Sequence, residues 1–158
     1  MRIGWSELGV TALGGVLLGL AAAMWSGPTV PSGPAGAAPE MAGVTAQFGL
    51  CHSGGGTNCV VDGDTFWMGG EKIRVADIDA PETHPSRCAE EARLGDAATA
   101  RLQALLNAGP VVLEAADRDT DKYGRKLRVV TRGGRSLGAM LVGEGLARQW
   151  TGRRQPWC

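Results

Sequence analysis

The sequence predicts a small α+β domain, mainly β, preceded by a membrane-directed helix. Three observations carry this reading. β-forming runs alternate with glycine-marked turns from Cys59 onward, a long helical repeat interrupts them between Arg87 and Asn107, and a short one closes the pattern at Ser136 to Gly143. Hairpin strands with one helix inserted and another at the end suit a two-layer α+β arrangement. A partly open five-stranded barrel is one such arrangement.

The first element stands outside that domain. Leu8 to Trp25 is an uncharged run of 18 residues, about 27 Å long as a helix at ~1.5 Å per residue, just enough to cross a hydrocarbon core. Trp5 and Trp25 flank it, where indoles favour the membrane interface, and Arg2, partly offset by Glu7, points the domain outward. A cleaved signal peptide competes with an anchor, with Ala21 and Ala23 as its small-residue site. The length and the two tryptophans favour the anchor. Ser26 to Ala46 is rich in Pro, Gly, Ala and Ser and reads as a flexible tether. The expected division is therefore 1–25 anchor or signal, 26–46 linker and 47–158 folded domain.

Within the domain, Cys59 to Met68 reads as a strand carrying a turn or bulge at Asp62-Gly63-Asp64. Gly69-Gly70 supplies a hairpin turn, and Lys72 to Ile78 returns. In the helix Arg87 to Asn107, Leu94, Ala98, Leu102 and Leu105 share a face. Ser86 is placed to cap it, Glu90 and Glu91 suit its first turn, and Gly109-Pro110 ends it. Val111 to Ala116 and Lys126 to Thr131 are two further strands, joined by the polar segment Asp117 to Arg125. Leu137, Met140 and Leu141 give the last helix its buried stripe, with Gly145 available to cap its end.

The formal charge of zero hides an asymmetry. Cys59 to Asp117 holds five Lys/Arg against eleven Asp/Glu, whereas Arg118 to Cys158 holds ten against three. An acidic half can hold a cation while a basic half holds phosphates. Cys51, Cys59, Cys88 and Cys158 make an even set, which in an exported chain suggests two disulfides. Of three pairings we favour Cys51–Cys59, closing a Gly-rich loop, and Cys88–Cys158, tying down the C-terminus. Zinc at Cys51-His52 and Cys59 is disfavoured, because the chain has no C-x-x-C pair and two histidines in all.

Three segments can carry chemistry. Asp62-Gly63-Asp64-Thr65 is common turn chemistry when taken alone. In Arg74-Val75-Ala76-Asp77-Ile78-Asp79-Ala80-Pro81-Glu82, Pro81 forces Ala80 extended and exposes several hard oxygen groups near a strand end, which suits Ca²⁺ better than a soft metal. Arg74 and Asp79 lie five positions apart and would face opposite sides of an ideal strand, so a shared site demands a bend between them. Thr120-Asp121-Lys122-Tyr123-Gly124-Arg125 offers a phosphate clamp in which Arg125 can bind two phosphate oxygens at once.

Asp-Gly-Asp-Thr, then Arg-x₄-Asp-x-Pro-Glu, then Asp-Lys-Tyr-Gly-Arg, in that order, resembles the staphylococcal nuclease family, the thermonucleases. The likeness runs from about Cys59 to Arg148 and includes Gly145-Leu146-Ala147-Arg148. It implies a five-stranded oligonucleotide-binding (OB) barrel with packed helices. It also implies a Ca²⁺-dependent endonuclease that cleaves DNA and/or RNA and leaves 3′-phosphates. Asp64 and Asp79 then look like carboxylate calcium ligands, Ala80 a carbonyl ligand and Glu82 a general base. Arg74 and Arg125 look like phosphate-binding arginines, with Lys122 and Tyr123 as substrate contacts.

Asp77 departs from the best-known member, where that position is apolar; it is read as a ligand-supporting group or a solvated one. After Arg148 that member has two tyrosines and a further helix, whereas this chain has Trp150, Arg153 and Arg154 and stops at Cys158. Trp150 is open to two readings, a base-stacking platform or a capping tryptophan. The expected partners are the nucleic-acid substrate and, through the N-terminal helix, the membrane. The expected state is a monomer on the outer side of the cell envelope, or secreted if residues 1–23 are removed. The competing function is a non-catalytic nucleic-acid or protein-binding module of the same fold. Asp64, Asp79, Glu82, Arg74 and Arg125 are all present, and binding alone would not need the full set.

Overall fold

Gly69 and Gly70, at φ of 59° and 84°, form the tight turn on which the sheet is built. In the computed structural model, which describes residues 43–51 and 56–158, this turn joins β3 (Thr65–Met68) to β4 (Glu71–Val75) in antiparallel register, Phe66 opposite Ile73. β2 (Cys59–Asp62) pairs with β3 on its other side, and β1 (Gly49–Leu50) runs parallel to β2. The turn or bulge expected at Asp62-Gly63-Asp64 is present: the Cys59 to Met68 segment is a hairpin that turns at Gly63-Asp64, with a register shift between Val60 and Asp62.

The expected strand from Lys72 to Ile78 breaks at Ala76-Asp77 and resumes as the two-residue β5 (Ile78–Asp79). That break is the bend that Arg74 and Asp79 require. α1 (Ala89–Asn107) follows, its cap at Cys88 and not at the expected Ser86. Cys88 makes no capping hydrogen bond through its side chain, and the buried Glu91 carboxylate instead accepts from the Arg87 N–H at 2.6 Å. Ala98, Leu102, Leu105 and Leu106 bury the inner face; Leu94 is only half-buried.

β6 (Val112–Thr120) pairs antiparallel with β7 (Lys126–Arg132), and β7 runs parallel to β4. β6 extends four residues beyond the expected Ala116, with a register shift against β7 between Ala115 and Thr120. β8 (Arg135–Ser136) leads into α2 (Leu137–Gly143), where Ser136 Oγ accepts from Ala139 N–H. Gly145, at φ 74°, follows its end. β9 (Arg148–Gln149) then returns to pair with β5.

Hydrogen bonding runs in the order β1-β2-β3-β4-β7-β6, with β8 on β7. Among the described residues this ladder does not close on itself. The result is mainly β with two helices and an open sheet, in place of the expected barrel closure. The core lies between the sheet and the helices and holds Phe66, Ile73, Ile78, Leu102, Leu137 and Leu141, each essentially inaccessible. Val44 exchanges both backbone hydrogen bonds with Val111, so the chain joins the sheet ahead of residue 47. No described helix is long and apolar enough to cross a membrane. The expected anchor at 1–25, most of the linker and His52 lie outside the described residues.

Candidate active site

The β2–β3 turn sits where a side chain at Gly63 would not fit. A Cβ there would come within 2.6 Å of Ala98 Cβ on α1 and 2.8 Å of Ala80 Cβ. This close approach drives the next residue, Asp64, into the space beside Asp79. Gly95 does the same for the following segment, since its missing Cβ would lie 3.0 Å from the Pro81 and Glu82 carbonyl oxygens. Two glycines thus let α1 fix the position of all three acidic residues.

Asp64 is buried and fully engaged. Thr65 Oγ1 donates to its Oδ1 at 2.8 Å, Ala80 N–H donates to its Oδ2 at 3.4 Å, and Arg74 Nη2 lies 3.0 Å from Oδ2. The same Arg74 nitrogen is 3.8 Å from Asp79 Oδ1, so one guanidinium touches both carboxylates. Arg74 also donates through Nη1 to the Val75 and Ile78 carbonyls at 3.0 and 3.2 Å, which holds the bend between β4 and β5. Its guanidinium stacks 5.2 Å from the centre of the Trp150 ring. Arg74, 6 % exposed, is therefore buried and already paired, unlike a free clamp.

Arg125 reaches the site from the β6–β7 connection. Asp121 shapes that loop by accepting the Tyr123 and Arg125 N–H groups at 2.9 and 3.0 Å, and it pairs with Arg125 Nε at 2.7 Å. Burial alone would raise the Asp121 carboxyl, but these hydrogen bonds and the Arg125 charge hold it below its usual range. Arg125 Nη1 then donates to Thr65 Oγ1 at 3.2 Å, linking the basic loop to Asp64 through one hydroxyl. A cavity of about 500 Å³ opens over this arrangement, lined by Arg74, Lys122, Tyr123, Arg125, Trp150 and Arg154 among others. Exposed Tyr123 stands at its edge, with the Lys122 and Arg125 cations against its ring.

The acidic side of the site is short of donors. Burial raises the Asp79 carboxyl, the Arg154 and Arg74 charges oppose that, and Asp64 adds to it. Asp79 Oδ1 is buried without a hydrogen-bond donor. Asp62, whose Oδ1 accepts from the Asp64 N–H, is pushed up to about 6 by burial and then by the Asp64 charge. Among the described residues no three His, Cys, Asp or Glu side chains gather into a metal cage by themselves. Two buried carboxylates, of which Asp79 leaves Oδ1 without a hydrogen bond, are nonetheless hard donors, and with a neighbouring backbone carbonyl they fit a divalent cation that completes its shell with water or substrate.

Asp64, Asp79 and Ala80 meet around Arg74, and Arg125 reaches them through Thr65. Glu82 is linked to them through Arg154, and Lys122 and Tyr123 line the cavity with Arg125. Two readings change. Asp77 turns away from the cluster: its Oδ2 accepts from Ser136 Oγ at 2.6 Å, and its side chain packs against Gly138 of α2. Arg154, noted in sequence only as part of a basic tail, ion-pairs with Glu82 and lies 3.4 Å from Asp79 Oδ1 and 3.8 Å from Asp64 Oδ2. Asp121 and Thr65 were named only within their motifs; a carboxylate four residues before Arg125 was the available signal for the first. The sulfurs of Cys51 and Cys59, and of Cys88 and Cys158, lie at bonding distance, with Cα separations of 5.1 and 6.2 Å.

Residues 72–156 match the model of the family described as staphylococcal nuclease homologue. Endonuclease YncB of Bacillus subtilis (strain 168) is 39% identical over 94 residues, which cover 56% of this chain and 44% of that protein. SPbeta prophage-derived endonuclease YokF of the same strain is 40% identical over 94 residues, covering 31% of its length. Its endonuclease YhcR is 36% identical over 99 residues, covering 8%. The chain thus spans less than half of each of these relatives. With the matched segment running from β4 through the basic loop to the C-terminal tail, the chain belongs to the staphylococcal nuclease homologue family.

Proposed function

We propose that this protein is an endonuclease that hydrolyses phosphodiester bonds of DNA and/or RNA with Ca²⁺, outside the cytoplasm. The observation that carries the reading is the Arg125–Thr65–Asp64 connection, which links a guanidinium lining the cavity to the buried carboxylates through one hydroxyl. The endonuclease names of the relatives support the same activity.

In this reading Asp64, Asp79 and the Ala80 carbonyl would hold the cation. Once bound, it supplies positive charge to the phosphate and polarises an attacking water. The protein's own groups do the rest. Arg125, fixed by Asp121 and Thr65, offers guanidinium hydrogens to the equatorial phosphate oxygens, where negative charge builds up during attack. Arg74 holds the two carboxylates together and adds positive charge beside them. Glu82, half-buried, takes a proton from the water. Lys122 and Tyr123 steady the neighbouring nucleotide from the cavity edge.

The two cysteine pairs are read as disulfides, a reading that suits an oxidising compartment. The apolar run before it is read as the membrane anchor of a monomer.

The test is incubation of the full-length chain with plasmid, single-stranded DNA and RNA, with Ca²⁺ or with a chelator. Cleavage is expected only with the cation, and Glu82→Gln should abolish most of it while leaving substrate binding intact. Binding without cleavage in the wild type would favour the non-catalytic module. Cleavage that survives the chelator would exclude the metal-assisted route.

A further inference from the structure

Three carboxylates, Asp64, Asp79 and Glu82, share two guanidiniums in this structure, and the second of these comes from the C-terminal tail. Arg154 places Nε 3.4 Å from Asp79 Oδ1 and Nη2 3.8 Å from Asp64 Oδ2, and its Nη1 pairs with Glu82. Asp64 and Asp79 are buried, whereas the Arg154 side chain is 37 % exposed. A buried cluster with excess negative charge needs a cation, and Arg154 is the one that can leave toward solvent.

The tail is built to hold it there. β9 pairs Arg148 with Asp79 and Gln149 with Ile78, and Trp150 N–H donates to the Asp77 carbonyl at 2.9 Å. Gly152, at φ 89°, turns the chain. Beyond Arg154, Arg148 Nη1 donates to the Pro156 carbonyl at 2.9 Å and its guanidinium stacks 3.8 Å from the Trp157 ring centre. Cys158 then meets Cys88 at the start of α1. Arg154 therefore sits on a short loop fixed at both ends, which gives its guanidinium a high effective concentration over the carboxylates.

We propose that Arg154 is an internal competitor for the divalent-cation site, so that the C-terminal tail sets the metal affinity of the enzyme. This rests on the reading of Asp64 and Asp79 as cation ligands. A dication between those carboxylates would stand a few ångströms from the guanidinium and repel it, so each is bound more weakly in the presence of the other. Displacement also frees Glu82 from its ion pair. Arg154 thereby couples filling of the metal site to release of the group that takes the proton.

The experiment is calorimetric titration of CaCl₂ into the full-length oxidised protein in mild detergent, comparing wild type with R154A, R154Q and R153A. R154A and R154Q are expected to bind Ca²⁺ about tenfold more tightly, within the usual range of coupling between sites. R153A removes the same charge from the adjacent residue and should stay within about twofold of wild type. Wild-type or weaker affinity in both Arg154 variants would overturn the proposal while leaving the metal site itself established. Equal tightening in R153A would also overturn it, because general charge and not the contact would be responsible. No Ca²⁺ binding by any of the four proteins would remove the metal reading and this inference with it.

Discussion

The Arg125 guanidinium donates to Thr65 Oγ1 at 3.2 Å across sixty residues of sequence, and that hydroxyl in turn donates to Asp64 at 2.8 Å. One hydroxyl therefore fixes the distance between the basic loop and the acidic hairpin. Because Asp121 holds the same guanidinium from the other side at 2.7 Å, Arg125 is oriented before any phosphate arrives. Preorganised charge of this kind does not have to reorganise in the transition state.

Arg125→Ala is accordingly expected to lower the turnover rate by ~10²–10³-fold, the usual cost of removing one oriented donor. Arg125→Lys should recover little of it, since an ammonium cannot span Asp121 and Thr65 while also presenting two hydrogens to phosphate. Steady-state cleavage of a fluorogenic oligonucleotide measures the rate, and an unchanged urea midpoint shows that the fold is intact. Equal rates for wild type and Arg125→Ala would remove Arg125 from the site.

Gly63→Ala tests whether the hairpin's approach to α1 builds the acidic cluster. The added methyl would lie 2.6 Å from Ala98 Cβ and 2.8 Å from Ala80 Cβ, and neither is a flexible side chain. Overpacking of this kind costs ~1–3 kcal/mol, and the hairpin must move to relieve it. Both the unfolding free energy and the Ca²⁺ affinity should therefore fall. Gly133→Ala, with open space at its Cβ, should show only the strain of a positive φ of 55° and leave Ca²⁺ affinity alone.

Much of this was legible in the sequence where the signal is local. The Gly69-Gly70 turn, the apolar face of α1 and the Gly145 turn after α2 each follow from residues within a short stretch of sequence. The bend between Arg74 and Asp79 was legible for a different reason, as a geometric demand of the site. What was hidden is non-local. β5 and β9 are two residues each and exist only because they pair with one another across the fold. Arg154 reaches the carboxylates only because β9 and the Cys88–Cys158 contact bring the tail back, which no window of sequence around it records. Asp77 misled for the same reason, its partner Ser136 being 59 residues away.

Asp62 gives the stability a pH dependence whose sign is fixed. Its carboxyl is raised from an ordinary 3.8 to about 6, first by burial and then by Asp64. The folded state thus favours the protonated form, so this residue's contribution is fully present below pH ~4 and is lost as pH rises through about 6. Asp62→Asn keeps an oxygen for the Asp64 N–H and removes the charge. Relative to wild type in a chelating buffer, it is expected to be more stable at pH 8 and no more stable at pH 4, read from urea midpoints. A uniform shift at both pH values would mean that Asp62 does not titrate in this window.

Ser136 separates a structural carboxylate from the proposed cation ligands. Its Oγ accepts from Ala139 N–H at 3.0 Å and donates to Asp77 Oδ2 at 2.6 Å, so a single hydroxyl caps α2 and satisfies the carboxylate that departs from the family pattern. Asp77 Oδ1 already lacks a partner. Ser136→Ala would therefore leave a helix N–H uncapped and both Asp77 oxygens without donors, at a cost of ~1–2 kcal/mol for the cap with a further loss from the unpaired carboxylate. Ca²⁺ affinity and cleavage rate should not change, because Asp77 faces α2 and not the Asp64–Asp79 pair. A fall in Ca²⁺ affinity without a fall in the unfolding midpoint would return Asp77 to the metal site and reverse its placement as a support for the last helix.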